Sequence, residues 1–257
     1  MRRHLIIAAL GSLVCFAAAA QQPAPDAQKR ALEAARDIAI HYTSQLPDFL
    51  CTEQVQRTDA TSASNIKADR LTLQLSYFGQ KENYKLVAMN GSPTSAPLES
   101  LEGLITGGEF GSLLLGVFDS RSSADFHWKA SSTIRRRHAA VYTYRIARAR
   151  SHYMLGRRMQ NGNMVSLPAG YHGEVALDDD TSQVLRLTAS ADDIPKESGI
   201  LQSSVAVDYD FVSVAGKSHL LPSRSDAHME RQYRKIANVV TFVDYRKFEA
   251  DSTVTFK

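Results

Sequence analysis

GYHGEVALDDDTSQVLRLTAS, residues 170–190, places three consecutive aspartates between two runs in which apolar residues alternate with polar ones. Alternation with a period of two is typical of β-strands that have one buried face. The residues between the runs, 178–182, are aspartate, threonine and serine, which hydrogen-bond their own backbone in turns. The stretch therefore predicts a β-hairpin with an acidic tip, and the interpretation of the whole chain starts from that hairpin.

The acidic tip only partly matches a calcium-binding loop. Asp178, Asp180 and Ser182 have the spacing of the first three ligands of an EF-hand. The sixth position of such a loop requires glycine but is Gln183, and the twelfth requires a bidentate glutamate but is Ala189. A catalytic carboxylate pair is not expected either, because an exposed turn gives all three aspartates a similar solvated environment. We predict a structural turn and no metal site.

The rest of the chain indicates an α+β fold. An amphipathic helix is predicted between Pro25 and Pro47, and period-two segments typical of strands follow from Leu50 onward. A second, short helix is predicted over residues 108–118. We expect a large curved antiparallel β-sheet, a half-barrel, with the N-terminal helix and the short inserted helix packed on its concave face.

The N-terminus predicts export. Residues 1–20 contain two arginines, a short apolar run and a run of alanines, as secretory signal peptides do. Cleavage would leave one domain, residues 21–257, with 28 Lys and Arg against 27 Asp and Glu. We therefore expect a periplasmic or secreted protein. Cys51 would be its one cysteine, and the apolar neighbours of Cys51 predict a buried thiol.

Charge is segregated along the chain. Residues 126–173 contain nine Lys and Arg and no acid, whereas residues 174–213 contain nine acids and two basic residues. Neighbouring strands could pair these charges across the outer face of the sheet. Alternatively, an arginine-lined surface could bind an anionic partner such as lipid headgroups or acidic glycans, with Arg145, Arg148 and Arg150 as candidates. Nucleic acid fits this charge but does not fit an exported protein.

Sequence signatures of catalysis are absent. No serine has glycine at both −2 and +2, and there is no HExxH or CxxC motif. The histidines beyond residue 20 occur singly along the chain, so we predict no catalytic residue and no cofactor. A Ser/His/Asp site assembled from distant strands stays open, because such sites are defined by geometry and not by sequence spacing.

The hairpin resembles a segment of LolA-like proteins, a superfamily that includes lipoprotein carriers and the sigma-factor regulator RseB. The residues that match are Gly173, Val175, Leu177, Asp178, Thr181, Leu185 and Arg186. The resemblance implies an unclosed β-barrel with helices over its mouth.

The same resemblance implies a hydrophobic cavity in which an acyl chain could lie. Its wall would be formed by apolar residues of two strands, namely Leu71, Leu73, Leu75, Tyr77, Val205, Val207, Tyr209 and Phe211. These side chains could instead simply fill a core.

Three classes of function remain open. The first is a non-enzymatic exported protein that binds a lipid or an acylated protein. The second is an exported hydrolase whose site is built from scattered His, Asp and Ser residues. The third is a structural or interaction protein of the cell envelope.

Overall fold

The computed structural model describes residues 22–98, 101, 108–158 and 164–248. Two α-helices occur in this part of the chain, α1 (Pro25–Gln45) and α2 (Ser112–Phe118). The strands are β1 Phe49–Ser62, β2 Asn65–Phe78, β3 Lys81–Met89, β4 Ser92–Pro93, β5 Asp125–Ile134, β6 Arg137–Ile146, β7 Met154–Arg158, β8 Met164–Pro168, β9 Gly170–Asp178, β10 Val184–Asp192, β11 Ile200–Val214, β12 Lys217–Arg231 and β13 Arg234–Lys247. The predicted signal peptide lies outside the described residues.

Eleven of the strands form one antiparallel sheet in the order β4-β3-β2-β1-β13-β12-β11-β10-β9-β6-β5. Its two ends do not pair with each other, so the barrel is not closed. Strands β7 and β8 form a separate two-stranded ribbon. The predicted α+β half-barrel, with an N-terminal and a short inserted helix on the concave face, is confirmed.

Helix α1 packs on the concave face of the sheet through a narrow stripe of side chains. Pro25 opens the helix, where its missing N–H is not needed, and the extended residue Leu46 follows its end. The fully buried side chains are Ala35, Ala39 and Tyr42. Because two of the three are alanines, the helix can approach the sheet closely while burying little apolar area.

The side chains between sheet and helices form two apolar clusters. The first joins α1 and α2 to strands β6 and β9–β11, and it includes Leu114 and Phe118 of α2. The second joins β1–β3, β12 and β13 around Phe110, which lies just before α2. Leu46 packs against both clusters. The concave face is therefore lined by apolar side chains on both sides of the helices.

The predicted hairpin is formed by β9 and β10, and one of its aspartates differs from the other two. The side chain of Asp178 is 1% exposed and forms a two-point ion pair with Arg137 of β6. It also accepts hydrogen bonds from the backbone N–H groups of Asp180 and Thr181, at 3.1 and 2.9 Å. The expectation that all three aspartates are solvated was wrong for Asp178, because Arg137 comes from a strand distant in sequence. Its guanidinium holds the pKa of the Asp178 carboxyl below its usual range.

Among the described residues, no helix is both long and apolar enough to cross a membrane.

Candidate functional site

Most of the side chains predicted to line a cavity lie in the apolar layer under the helices. Six are buried, namely Leu71, Leu73, Leu75, Tyr77, Val207 and Tyr209. Val205 is half-buried against the first cluster. Tyr77 stacks on Phe49 with ring centroids 5.1 Å apart, and Tyr209 meets the edge of the Tyr42 ring at 6.2 Å. In this structure these residues pack within the two apolar clusters, and Tyr77 and Tyr209 also contact α1.

Phe211 lies outside both clusters. Its side chain is 36% exposed, and the guanidinium of Arg137 lies 4.9 Å from the centre of its ring. The pairing of β11 with β12 shifts register between Asp208 and Tyr209, where Tyr209 lies opposite Pro222. The extra residue of this bulge, Ser223, is on β12. Beyond Tyr209, the residues of β11 that pack in the second cluster are Val212 and Val214, so the alternation read from the sequence does not continue through Phe211.

The segment before α2 inserts an aromatic side chain into the concave face. Phe110 is buried and contacts the rings of Phe49 and Phe242 at 5.4 and 5.5 Å. Gly108 and Gly111 flank it with φ angles of 96° and 131°, which favour glycine. A Cβ atom on Gly111 would lie 2.4 Å from the side chain of Thr43, so this segment also touches α1.

Acidic side chains are buried beneath the same segment. Ser225 donates a hydrogen bond of 3.0 Å to the carboxylate of Glu109, and the hydroxyl of Tyr209 donates to the backbone carbonyl of Glu109 at 3.0 Å. Glu53 of β1 is only 7% exposed. Burial, with smaller contributions from Glu109 and Glu82, raises the pKa of Glu53 to about 8. Glu53 is therefore mostly protonated at neutral pH.

Burial of Glu53 was not predicted from the sequence, although its position in the strand indicates it. Glu53 follows Cys51 and precedes Val55 with a period of two, so it shares their buried face. The predicted burial of Cys51 is confirmed. Burial raises the pKa of the Cys51 thiol well above its ordinary value, which disfavours the reactive thiolate.

On the outer face, basic side chains of residues 126–173 form ion pairs with acidic side chains of residues 174–213 on neighbouring strands. Arg135 lies 3.6 Å from Asp210, and Arg145 lies 2.8 Å from Asp192. Lys129 and Arg137 pair in the same way with acids of the acidic span. Cross-strand pairing, one of the two interpretations left open by the sequence, thus accounts for much of the charge pattern.

The three arginines proposed for an anionic partner lie in different settings. Arg145 is on the outer face of β6, paired with Asp192. Arg148 donates a hydrogen bond of 3.0 Å from Nε to the carbonyl of Pro168. Arg150 ends the single 3₁₀ turn Arg148–Arg150 and is exposed. An anionic partner for this surface stays a prediction.

Two open grooves cross the outer face of the sheet. The larger has a volume of about 640 Å³ and reaches from β1 to β9, and the second, of about 430 Å³, continues to β5. His172 and Ser190 line both grooves. Among the described residues, no group of three His, Cys, Asp or Glu side chains could hold a metal ion.

No protein-family model matches the chain, and no curated protein matches it in sequence. Solved structures do resemble it. A LolA superfamily protein from Nitrosomonas europaea is 11% identical, with 89% of this chain and 97% of that chain covered and a TM-score of 0.43. A putative outer membrane lipoprotein-sorting protein domain from Vibrio parahaemolyticus is 11% identical, with coverages of 87% and 95% and a TM-score of 0.42.

A chain of the MucA/MucB complex of Pseudomonas aeruginosa is 10% identical, with 86% of this chain and 100% of that chain covered and a TM-score of 0.25.

Proposed function

We propose that the protein is an exported binding protein that holds the acyl chain of a lipid or of a lipidated protein between the concave face and helices α1 and α2. The observation that supports this proposal most directly is the apolar inner layer. It extends over most strands of the sheet and is covered, in the described part of the chain, by one helix of 21 residues and one of seven.

The cover is attached to the sheet by the apolar contacts of the first cluster and by single hydrogen bonds. Three tyrosine hydroxyls bridge it to the sheet by donating to backbone carbonyls: Tyr42 to Leu220 at 2.8 Å, Tyr77 to Thr43 at 3.1 Å, and Tyr209 to the residue before Phe110 at 3.0 Å. Each such bond contributes about 1 kcal/mol net. Local opening of the cover would therefore cost less than global unfolding.

Phe110 occupies the position that an acyl chain would take. Its aromatic contacts are with side chains of the sheet, and the two flanking glycines give its segment conformational freedom. Withdrawal of this one side chain would leave an apolar space bordered by Phe49, Tyr77 and Phe242. A flexible hydrocarbon chain fits such a space because it needs no hydrogen-bond partner.

Glu53 supplies a polar group beside that space. Since its pKa is raised to about 8, the protonated carboxyl can donate a hydrogen bond at neutral pH. The ester or amide carbonyl that joins an acyl chain to its headgroup is a suitable acceptor.

Titration with the fluorescent fatty acid 11-(dansylamino)undecanoic acid tests this proposal. We expect saturable binding with a blue-shifted emission, and stronger binding by Phe110→Ala, which vacates the inner space. Phe211→Ala, which removes a partly exposed phenyl ring outside both apolar clusters, is the matched control and should bind like the wild type. Equal affinities of Phe110→Ala and Phe211→Ala, or no saturable binding, would contradict the proposal.

A further inference from the structure

The two outer-face grooves meet at a histidine and a serine. Ser190 on β10 is the register partner of His172 on β9, and both side chains line both grooves. Side chains directly opposite each other on antiparallel strands have Cβ atoms about 4.5–5.5 Å apart. Rotation about the side-chain bonds can therefore bring the serine hydroxyl to the imidazole.

An aspartate orients this histidine. Asp192 follows Ser190 by two residues, so both side chains lie on the same face of β10. Its Oδ1 lies 2.9 Å from Nδ1 of His172. The other carboxylate oxygen of Asp192 lies 2.8 Å from Nη1 of Arg145 on β6, which approaches from the same side of β10 as His172. With Asp192 as acceptor, the proton of a neutral imidazole is on Nδ1, and the lone pair is on Nε2.

We propose that Ser190, His172 and Asp192 form a hydrolytic site on the outer face that cleaves acyl esters. Ser190 is the nucleophile, His172 the general base, and Asp192 the group that holds the imidazole in its tautomer and orientation. This site lies on the opposite face of the sheet from the acyl-binding layer. It neither requires nor excludes binding there.

The reaction proceeds in two steps, acylation of Ser190 and hydrolysis of the acyl-serine. Ser190 Oγ attacks the ester carbonyl while its proton passes to Nε2 of His172. The bond from the carbonyl carbon to the alcohol oxygen breaks, and the alcohol leaves with that proton. Water then attacks the acyl-serine, His172 again takes and returns a proton, and a carboxylic acid is released with the Ser190 hydroxyl restored. The guanidinium of Arg145 on β6, which is paired with Asp192, also lines the second groove and is the positive charge that we assign to the developing oxyanion.

The unequal lining of the two grooves indicates the class of substrate. The larger groove has the exposed side chain of Leu201 beside it and the small apolar residues Ala60 and Ala237 along it. The second groove is polar, with Asp125 and Glu174 among its lining residues. An ester at the junction would place its acyl group in the larger groove and a polar, hydroxyl-rich alcohol in the second.

Labelling with a fluorophosphonate probe tests the serine directly. We expect covalent labelling at Ser190, identified by peptide mass spectrometry, and none in Ser190→Ala. His172→Gln and Asp192→Asn should lower the labelling rate by at least about 100-fold and 10-fold. The exposed residues Ser213 and His138 provide matched controls, and Ser213→Ala and His138→Gln should label like the wild type.

Hydrolysis of p-nitrophenyl butyrate provides the second measurement. Turnover should be lost in Ser190→Ala while the urea midpoint stays within error of the wild type, because Ser190 is on the partly exposed outer face. An unlabelled wild-type protein, labelling of another serine, or equal turnover in wild type and Ser190→Ala would overturn the assignment. In each of these cases the contact of His172 with Asp192 would be an ordinary surface ion pair, and acyl binding on the concave face would be unaffected.

Discussion

Replacing Glu53 by glutamine should make the protein more stable at alkaline pH and remove part of its pH dependence. Glu53 is buried on the concave face, and its pKa is raised to about 8 in the folded protein against 4.5 for a free side chain. Between these values the unfolded chain releases the proton and the folded protein keeps it. Stability is therefore unaffected by Glu53 below about pH 4.5 and falls as the pH rises towards 8.

The size of the effect follows from the shift in pKa. Between pH 4.5 and 8, each pH unit lowers the free energy of unfolding by about 1.4 kcal/mol. Over the whole range the loss is at most about 5 kcal/mol. Glutamine has nearly the same shape and does not ionise. The free energy of unfolding of Glu53→Gln minus that of the wild type should thus grow by about 1 kcal/mol per pH unit from pH 5 to 8.

Urea unfolding at pH 5, 6, 7 and 8, followed by circular dichroism, measures this difference. Glu33→Gln on the exposed face of α1 is the matched control, and it should leave the difference from wild type flat across the series. A pH-independent difference for Glu53→Gln would refute the argument that Glu53 is buried as a neutral acid.

Three further changes test other parts of the structure. Asp178→Ala should lower the free energy of unfolding by about 2–4 kcal/mol, because it leaves a half-buried arginine unpaired, whereas Asp179→Ala should change it by less than 1 kcal/mol in the same urea titration. Gly111→Ala should lower the melting temperature by several degrees in differential scanning fluorimetry, since its Cβ would clash with α1 at a φ of 131°; an unchanged melting temperature would contradict the close contact. Replacing Arg148 and Arg150 together with serine should weaken sedimentation with anionic liposomes, and unchanged binding at low salt would exclude this anionic surface.

The parts of the fold that depend on local periodicity could be predicted from the sequence. The alternation around the acidic tip predicted the hairpin β9–β10, and the three- and four-residue spacing after Pro25 predicted α1. The predicted turn chemistry is seen in the hydrogen bonds that Asp178 accepts from the backbone N–H groups of Asp180 and Thr181. Charge segregation anticipated ion pairs between strands, although the pairing partners could not be assigned.

The remaining features depend on register and on long-range contacts. Phe211 was predicted to line the cavity because the alternation up to Tyr209 was extended past it, whereas Val212 and Val214 are the next residues of β11 that pack inward. Asp178 was expected in solvent because its partner Arg137 is 41 residues away. His172 and Ser190 are opposite each other because the pairing of β9 with β10 shifts register between Val184 and Arg186. If the two strands were displaced by one residue, the two side chains would lie on opposite faces of the sheet.

Native mass spectrometry of the protein recovered from the periplasm tests the central claim most directly. The proposal predicts a population whose excess mass matches a lipid or fatty acid and disappears after extraction with organic solvent. A single unliganded mass that takes up no palmitate, in the wild type and in Phe110→Ala alike, would contradict acyl binding inside the half-barrel.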